Sequence, residues 1–118
     1  MLTHEQTKTA YDLLDQADAT FAAGDEMLGA QRLWNSFAAV IDAIAHERGL
    51  PPCQDDDDIR RLLQELSTHE SSEYSMMLRF HTAERFRKAA KRGAMEDYEV
   101  EIFAPEVHRI IGELAAIA

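Results

Sequence analysis

The stretch EMLGAQRLWNSFAAVIDAIAHER, residues 26–48, decides the fold, because it is the most apolar part of the chain and has helical periodicity. Its apolar residues recur every three or four positions and cover a broad stripe. A stripe this wide predicts a central helix that packs against two or more neighbours. The stripe consists of Met27, Ala30, Leu33, Trp34, Phe37, Val40, Ile41 and Ile44.

The same periodicity runs through the rest of the chain, and no window alternates as a strand would. We therefore predict an all-α, up-and-down-like bundle of four to five helices in a single domain, residues 1–118. Pro105 interrupts the last apolar pattern, so a kink or short break is expected near residues 102–105. The predicted helices are about 3–23, 26–48, 56–69, 73–91 and 96–117.

Helix ends are marked by local signals. Thr3 and Gln6 have the spacing of a capping box. Gly24, Gly49 and Gly93 each follow an apolar helical pattern and are expected to cap helix C-termini.

The acidic run Asp55–Asp58 opens the third helix, and Ser71 or Ser72 opens the fourth. The acidic run could suggest calcium, but it lacks the glycine and the final glutamate of a calcium-binding loop. Capping by Asp55, with the following acids at the positive end of the helix dipole, is the favoured interpretation.

Composition restricts the function classes. The chain has 118 residues, 46% of them hydrophobic, and a formal net charge of −10. It contains no apolar stretch long enough to span a membrane and no secretory signal, so a cytoplasmic location is expected. Cys53 is the only cysteine, and no two of the five histidines have metal-ligand spacing on a helix. No metal site and no cofactor are predicted.

One segment departs from this acidic background. Residues 79–92 hold six of the twelve Lys and Arg residues and one acid, which gives a formal charge of +5. A local basic patch is the best sequence clue to a binding partner, such as a nucleotide, RNA, another anion or an acidic protein. The six cations are Arg79, Arg85, Arg87, Lys88, Lys91 and Arg92.

A helical projection divides these cations into two groups. Arg79 and Arg87 fall on or beside the apolar side of the fourth helix. An arginine in such a position needs a carboxylate partner or a ligand. Three interpretations stay open for them: an internal partner, an anion site, or a subunit interface. The carboxylates considered as internal partners are Asp42, Glu101 and Glu99.

The other group is expected to be solvated. Arg85, Lys88 and Arg92 fall together with His81 on a different face, and Glu84 can pair with Lys88 at i,i+4. His81 and Arg85 lie one turn apart, which would suit a general acid–base and a charge-stabilising group in a hydrolase. Arg79 is the alternative partner for His81 in that role.

Trp34 lies in the middle of the apolar stripe of the second helix and is expected to pack in the core. Asn35 and Asp42 lie together on a flank of the same helix. They could line a groove, or they could satisfy Arg79 or Arg87, and both alternatives stay open.

Parts of the chain resemble the HEPN-like superfamily (higher-eukaryote and prokaryote nucleotide-binding), in its PaREP-like branch of small helical proteins. The resemblance begins with Gly24-Asp25-x4-Ala30-x3-Trp34-x3-Ala38 and continues through Ile41-x2-Ile44-Ala45-x3-Gly49. It extends through Leu78-x-Phe80-x2-Ala83-Glu84 to Val107-x2-Ile110-Ile111-x2-Leu114.

The resemblance implies a bundle of four or five helices, often a homodimer, and for many members a ribonuclease of toxin or defence systems. The catalytic pattern of that group is Arg, four to six residues, then His, and no arginine here has it. The branch's His-x-Asn-Phe-Tyr motif is replaced by Arg87-Lys88-Ala89-Ala90-Lys91. No catalytic residue is therefore carried over to this chain.

Three functional hypotheses follow. The first is a noncatalytic binding protein with Arg79, Arg87, His81, Arg85 and Asn35 as candidate anion-binding or ligand-binding residues. The second is a dimeric interaction or regulatory module whose basic helix meets an acidic surface of a second subunit or of another protein. The third, less favoured, is a divergent ribonuclease.

Overall fold

The computed structural model describes residues 1–68 and 72–118, which form helices joined by short turns and contain no strand. This confirms the predicted all-α bundle. The predicted end of the third helix at His69 and the alternative start of the fourth at Ser71 lie outside the described residues. The helices are α1 (Lys8–Ala22), α2 (Glu26–Glu47), α3 (Asp56–Leu66), α4 (Glu73–Arg92) and α5 (Ala104–Ile117), with a π-helical segment, Glu99–Phe103, before α5.

The first helix begins later than predicted. Thr3 and Gln6 form the expected capping box, in which the Gln6 side chain accepts from the Thr3 amide at 2.7 Å and Thr3 Oγ1 accepts from the Gln6 amide at 3.2 Å. These bonds stabilise a turn over residues 4–7, and regular α-helix starts only at Lys8. The last helical residue of α3 is Leu66, so that helix ends before residue 69.

Most helix ends follow the predicted signals. Gly24, Gly49 and Gly93 have φ angles of 89°, 70° and 70°, the left-handed conformation that glycine adopts without steric cost. Ser72 caps α4 by accepting from the Ser75 amide at 3.2 Å.

The acidic run before α3 acts as a cap, as favoured from the sequence. Asp55 accepts from the Asp58 amide, and Asp58 accepts in return from the Gln54 amide, both at 2.9 Å. The carboxylates of Asp55 and Asp58 are therefore held by backbone donors at the helix N-terminus.

The predicted central role of α2 is confirmed, because it packs against α1, α4 and α5. The α1–α2 pair is antiparallel, with Gln6 bonded to Glu47 at one end and Arg32 to Thr20 at the other. The remaining helix, α3, packs on α4.

Trp34 belongs to the core, as predicted. It is 8% exposed and its ring centroid lies 5.4 Å from that of Phe37 and 6.2 Å from that of Phe80. This aromatic contact joins α2 to α4.

The expected irregularity near Pro105 is present as a π-helical segment, so the predicted helix over residues 96–117 is divided. Proline lacks an amide N–H, and inside an α-helix its ring would clash with the carbonyl four residues earlier. The wider π turn over Glu99–Phe103 precedes this position, and Pro105 lies in the first turn of α5, where proline is tolerated. As a consequence, Glu99 and Phe103 face the C-terminal half of α4.

Candidate functional site

The basic helix α4 is held on three sides. It packs against α2, α3 and α5, and its buried side consists of Met76, Phe80, Ala83, Phe86 and Ala89. Successive residues along α4 contact residues progressively earlier in the α5 region. Arg79 contacts Glu113, Arg85 contacts Phe103, and Arg92 contacts Glu99. The two helices are therefore antiparallel, and only one face of α4 is left to solvent.

Arg87 is paired inside the molecule. Its guanidinium donates to both carboxylate oxygens of Asp56 at 2.8 Å and to Glu84 at 2.7 Å, and its Cζ lies 4.4 Å from the centroid of the Trp34 ring. The bidentate bond from Arg87 lowers the pKa of Asp56 from its usual value, and the same bond raises the pKa of Arg87. This arginine joins α4 to the N-terminus of α3, and three of its N–H groups donate to carboxylates of the same chain.

Glu84 is the acid at the centre of the basic segment, and only 8% of its side chain is exposed. Besides Arg87, Lys88 Nζ lies 3.3 Å from it and His81 Nδ1 lies 3.4 Å from it. Burial alone would raise the pKa of Glu84, but the bonds from Lys88 and His81 and the charges around it outweigh burial and lower that pKa. The Glu84–Lys88 pair predicted from i,i+4 spacing is confirmed.

Arg79 is also paired, and only 15% of its side chain is exposed. It donates to Glu113 at 2.9 Å and to Ser75 Oγ at 2.9 Å. Glu113 receives a second guanidinium, from Arg109. Burial raises the pKa of Glu113, and the bonds from Arg79 and Arg109 outweigh it and lower that pKa.

The internal partners named from sequence were wrong, although internal pairing itself is what the structure has. Glu99 pairs with Arg92 at 3.2 Å, not with Arg79 or Arg87. Within the described residues, Asp42 and Glu101 form no ion pair. The actual partners are Glu113 for Arg79, and Asp56 and Glu84 for Arg87.

Two cations of the segment are without a carboxylate partner in the described part of the chain. Arg85 stacks its guanidinium on the Phe103 ring, with Cζ 4.0 Å from the centroid. Lys91 is exposed and forms no ion pair there. Because the other four cations are paired, the formal charge of +5 greatly overstates the field that this helix presents.

The free face of α4 is a regular stripe. Its residues are spaced by four, three, four, three and four positions, so they lie in one row along the helix. The N-terminal part is aromatic and aliphatic, with Tyr74 75% and Leu78 49% exposed, and the C-terminal part is cationic. We call this row the α4 stripe: Tyr74, Leu78, His81, Arg85, Lys88 and Arg92.

The cationic half of the α4 stripe agrees with the solvated face predicted from the projection, but its apolar half was missed. Tyr74 and Leu78 are exposed large hydrophobic residues that continue the row of His81 and Arg85 in the N-terminal direction. The signal was present in the spacing, since the same projection that separates Arg85 from Phe80 also places Leu78 outside the buried side.

Asn35 and Asp42 do not meet the arginines of α4. Asn35 is exposed and accepts from Gln31 Nε2 at 3.0 Å. Asp42 instead lines a shallow groove of about 320 Å³ between α1 and α2, together with His46. Partial desolvation there raises the pKa of the Asp42 carboxyl. The groove alternative is therefore right for Asp42, whereas the side-chain hydrogen bond that Asn35 forms in the described structure lies within its own helix.

Within residues 1–68 and 72–118, no group of three or more His, Cys, Asp or Glu side chains is arranged to hold a metal ion. Cys53 is half-buried, and burial together with the nearby carboxylates of Asp42, Asp58 and Asp55 raises the pKa of its thiol. No helix of the described residues is long and apolar enough to cross a bilayer.

Comparison with known proteins gave no match: neither a protein-family model, nor a curated protein, nor a solved structure is significantly similar to this chain. The HEPN-like assignment therefore stays a prediction.

Proposed function

We propose that this protein is a noncatalytic interaction module that binds another protein surface through the α4 stripe. The observation that carries the proposal is the row itself: six exposed side chains at helical spacing, aromatic and aliphatic at one end and cationic at the other. The π-helical segment Glu99–Phe103 contacts the row at its cationic end, through Arg85 and Arg92. Tyrosine and arginine are the residue types enriched at protein interfaces.

The pairing pattern argues against RNA or another polyanion as the partner. Each phosphate contact requires a cation that can replace a counterion, and for single strands each contact contributes about −0.7 to the slope of log affinity against log salt. Of the six cations in residues 79–92, only Arg85 and Lys91 lack a carboxylate within the described chain. The rest of the acidic chain opposes binding to a polyanion.

The same pairing favours a protein interface. Lys88 and Arg92 are held by Glu84 and Glu99, whose side chains are 8% and 9% exposed. A surface that covers these cations therefore does not strand an uncompensated charge, which would be costly. Their aliphatic stems, together with Tyr74 and Leu78, supply apolar area for contact.

The ribonuclease hypothesis gains no support from this geometry. His81 Nδ1 faces Glu84, Arg85 is stacked on Phe103, and Arg79 is bonded to Glu113. Neither arginine forms a hydrogen bond with His81 in the described structure. Common ancestry with the HEPN-like group stays a proposal, and the five-helix bundle is consistent with it.

A site-specific photo-cross-linker tests the proposal. The variant Leu78→p-benzoylphenylalanine, expressed at native level, is irradiated in cells beside the matched control Asp15→p-benzoylphenylalanine, which places the probe on the exposed face of α1. We expect a discrete protein adduct from position 78 that position 15 does not give. Adducts to nucleic acid would replace the proposal with the polyanion hypothesis, and no adduct specific to position 78 would overturn it.

A further inference from the structure

A groove of about 420 Å³ lies between the C-terminal half of α1 and the segment that runs from the π-helical turn into α5. None of its lining residues belongs to the α4 stripe. The π-helical segment separates the two surfaces, since Glu99 and Phe103 contact α4 whereas Val100 and Glu101 line the groove. The groove is therefore a second surface, distinct from the one assigned under the proposed function.

The floor of this groove is apolar and belongs to the core. Phe21, Val100 and Ala104 line it, and all three pack against the buried residues of the bundle. The Phe21 ring is held from behind by Phe86, with the ring centroids 6.4 Å apart. Because the bundle supports these side chains, the groove is present before anything binds, and binding does not have to meet the cost of forming it.

The walls of the groove are tied together as well. His108 Nε2 lies 2.9 Å from Asp18 Oδ1, which joins α5 to α1 at one end of the groove. Further along the same antiparallel pair, the Leu2 amide donates to the Ala115 carbonyl at 2.8 Å. These two bonds fix the separation of α1 and α5 on either side of their crossing.

Charge distinguishes the walls from the rest of the surface. They come from residues 9–31 and 93–108, two stretches that contain five acids each and no Lys or Arg. Several of these acids form no ion pair within residues 1–68 and 72–118. One of them, Glu101, is exposed and lines the groove itself. The unpaired acids are Asp15, Glu26, Glu96, Asp97 and Glu101.

We infer that this groove binds a cationic segment of a different protein, with one large apolar side chain on the Phe21–Val100–Ala104 floor and Lys or Arg beside it, facing the acidic walls. An apolar floor beside unpaired carboxylates is complementary to that combination of groups. The inference goes beyond the proposed function and does not depend on it, because it uses other residues.

The sign of the charge narrows the choice of occupant. Walls with an excess of carboxylates repel nucleic acid and anionic lipid. A second copy of this chain offers little free positive charge, because four of the six cations in residues 79–92 are paired with its own carboxylates. A foreign protein segment rich in Lys or Arg fits best.

The size of the groove restricts the length of the contact. Its lining positions along the α5 region run from residue 101 to residue 108, about 10 Å at 1.5 Å per residue. A contact of this length accommodates a few residues of a partner, so we expect a short segment and an affinity in the range of transient complexes.

NMR titration of the ¹⁵N-labelled full chain tests the inference at low ionic strength. The probe is the peptide Lys-Lys-Lys-Phe-Lys-Lys-Lys, and the controls carry Ser in place of Phe or Glu in place of every Lys. We expect saturable shifts of amides that cluster at Asp18, Phe21, Val100, Glu101 and His108. The Ser peptide should bind at least about tenfold more weakly, because it lacks the apolar anchor, and the Glu peptide should give no shifts.

Other results overturn the inference. These are the absence of any shift with the Phe peptide, shifts spread over acids outside the groove such as Asp55–Asp58, or equal affinity for the Phe and Ser peptides. Spermine that reproduces the same shifts at the same concentration would instead indicate a small-cation site. Shifts of the groove amides that depend on protein concentration alone would indicate a second copy of the chain.

A matched pair of charge variants gives a second readout. Glu101→Lys reverses an unpaired acid in the groove and should weaken binding of the Phe peptide at least about tenfold. The control Glu65→Lys reverses an exposed acid of α3 that does not line the groove and should change the affinity less than about twofold.

Equal loss in the two variants would show that net charge governs binding, and it would overturn the assignment of the groove. Circular dichroism verifies that both variants keep the fold. Glu101→Lys should leave the photo-adduct from position 78 unchanged, so the groove and the α4 stripe are tested independently.

Discussion

At the scale of single residues, alanine substitutions at two helical glycines are expected to have opposite effects on the stability of the fold. A Cβ on Gly29 would lie 2.7 Å from ring atoms of Phe21, whereas a Cβ on Gly112 would lie 3.8 Å from the Tyr11 hydroxyl, an ordinary contact. Gly112→Ala should stabilise the fold by about 0.5–1 kcal/mol through helix propensity. Gly29→Ala should destabilise it by about 1 kcal/mol, because displacing the Phe21 ring costs more than the helix propensity of alanine gains. Urea unfolding of both variants checks this, and equal stabilisation would contradict it.

Arg87 joins α4 to α3 through its two hydrogen bonds to Asp56. Arg87→Ala removes three hydrogen bonds to carboxylates and leaves the buried Glu84 with fewer donors. We expect a loss of about 1–3 kcal/mol in unfolding free energy. The matched control is Arg61→Ala on α3, whose exposed guanidinium pairs with Asp58 at the surface and should cost at most about 0.5 kcal/mol. Similar denaturation midpoints for the two variants would show that the Arg87 network is not stabilising.

At the scale of elements, α3 shows how a short helix depends on its ends. It has eleven residues, which is marginal for a helix in isolation. Asp55→Ala removes the side-chain cap and should cost about 0.5–2 kcal/mol by thermal or urea unfolding. Asp57→Ala is the control, because among the described residues its exposed side chain pairs with Arg60 alone. If Asp57→Ala were the more destabilising of the two, the reciprocal Asp55–Asp58 cap would not be what holds the helix start.

At the scale of the whole molecule, the ion pairs between helices predict acid lability. The pKa values of Asp56, Glu84 and Glu113 are lowered in the folded state. Above about pH 5.5 these groups are ionised in both states and their stabilisation is complete; below it, the unfolded chain binds protons first and stability falls. The pKa of Asp42 is raised in the folded state, so this carboxyl by itself would make the fold more stable in acid. Its effect is opposed by the three groups whose pKa values are lowered.

Urea midpoints measured from pH 7 to pH 2.5 check that prediction. Wild type should lose stability progressively below about pH 5. The double variant Arg79→Ala/Arg87→Ala lacks the two guanidinium groups that hold these acids, so its curve should be lower at neutral pH and flatter in acid. A wild-type curve that stays level throughout, or two parallel curves, would contradict the assigned cause.

Much of this molecule follows from local sequence. The broad apolar period of α2, the positive-φ glycines after three helices and the cap at Asp55 all act within one or two helical turns. The division of the α4 cations into a half-buried pair and an exposed set follows from the 100° rotation per residue, as does the Glu84–Lys88 bond.

What only the tertiary structure decided is which distant groups meet. Arg79 and Glu113 are 34 residues apart and Arg87 and Asp56 are 31 apart, so their pairing depends on how α3 and α5 are set against α4. The π-helical turn before Pro105 set the register that brought Glu99 to Arg92, which the chain pattern did not specify. The sequence by itself determined the helical class, most of the helix ends and the faces on which the arginines lie, because these depend on interactions three or four residues apart. The neutralisation of the basic segment and the exposure of the α4 stripe were decided by helix packing, because they depend on contacts between elements far apart along the chain.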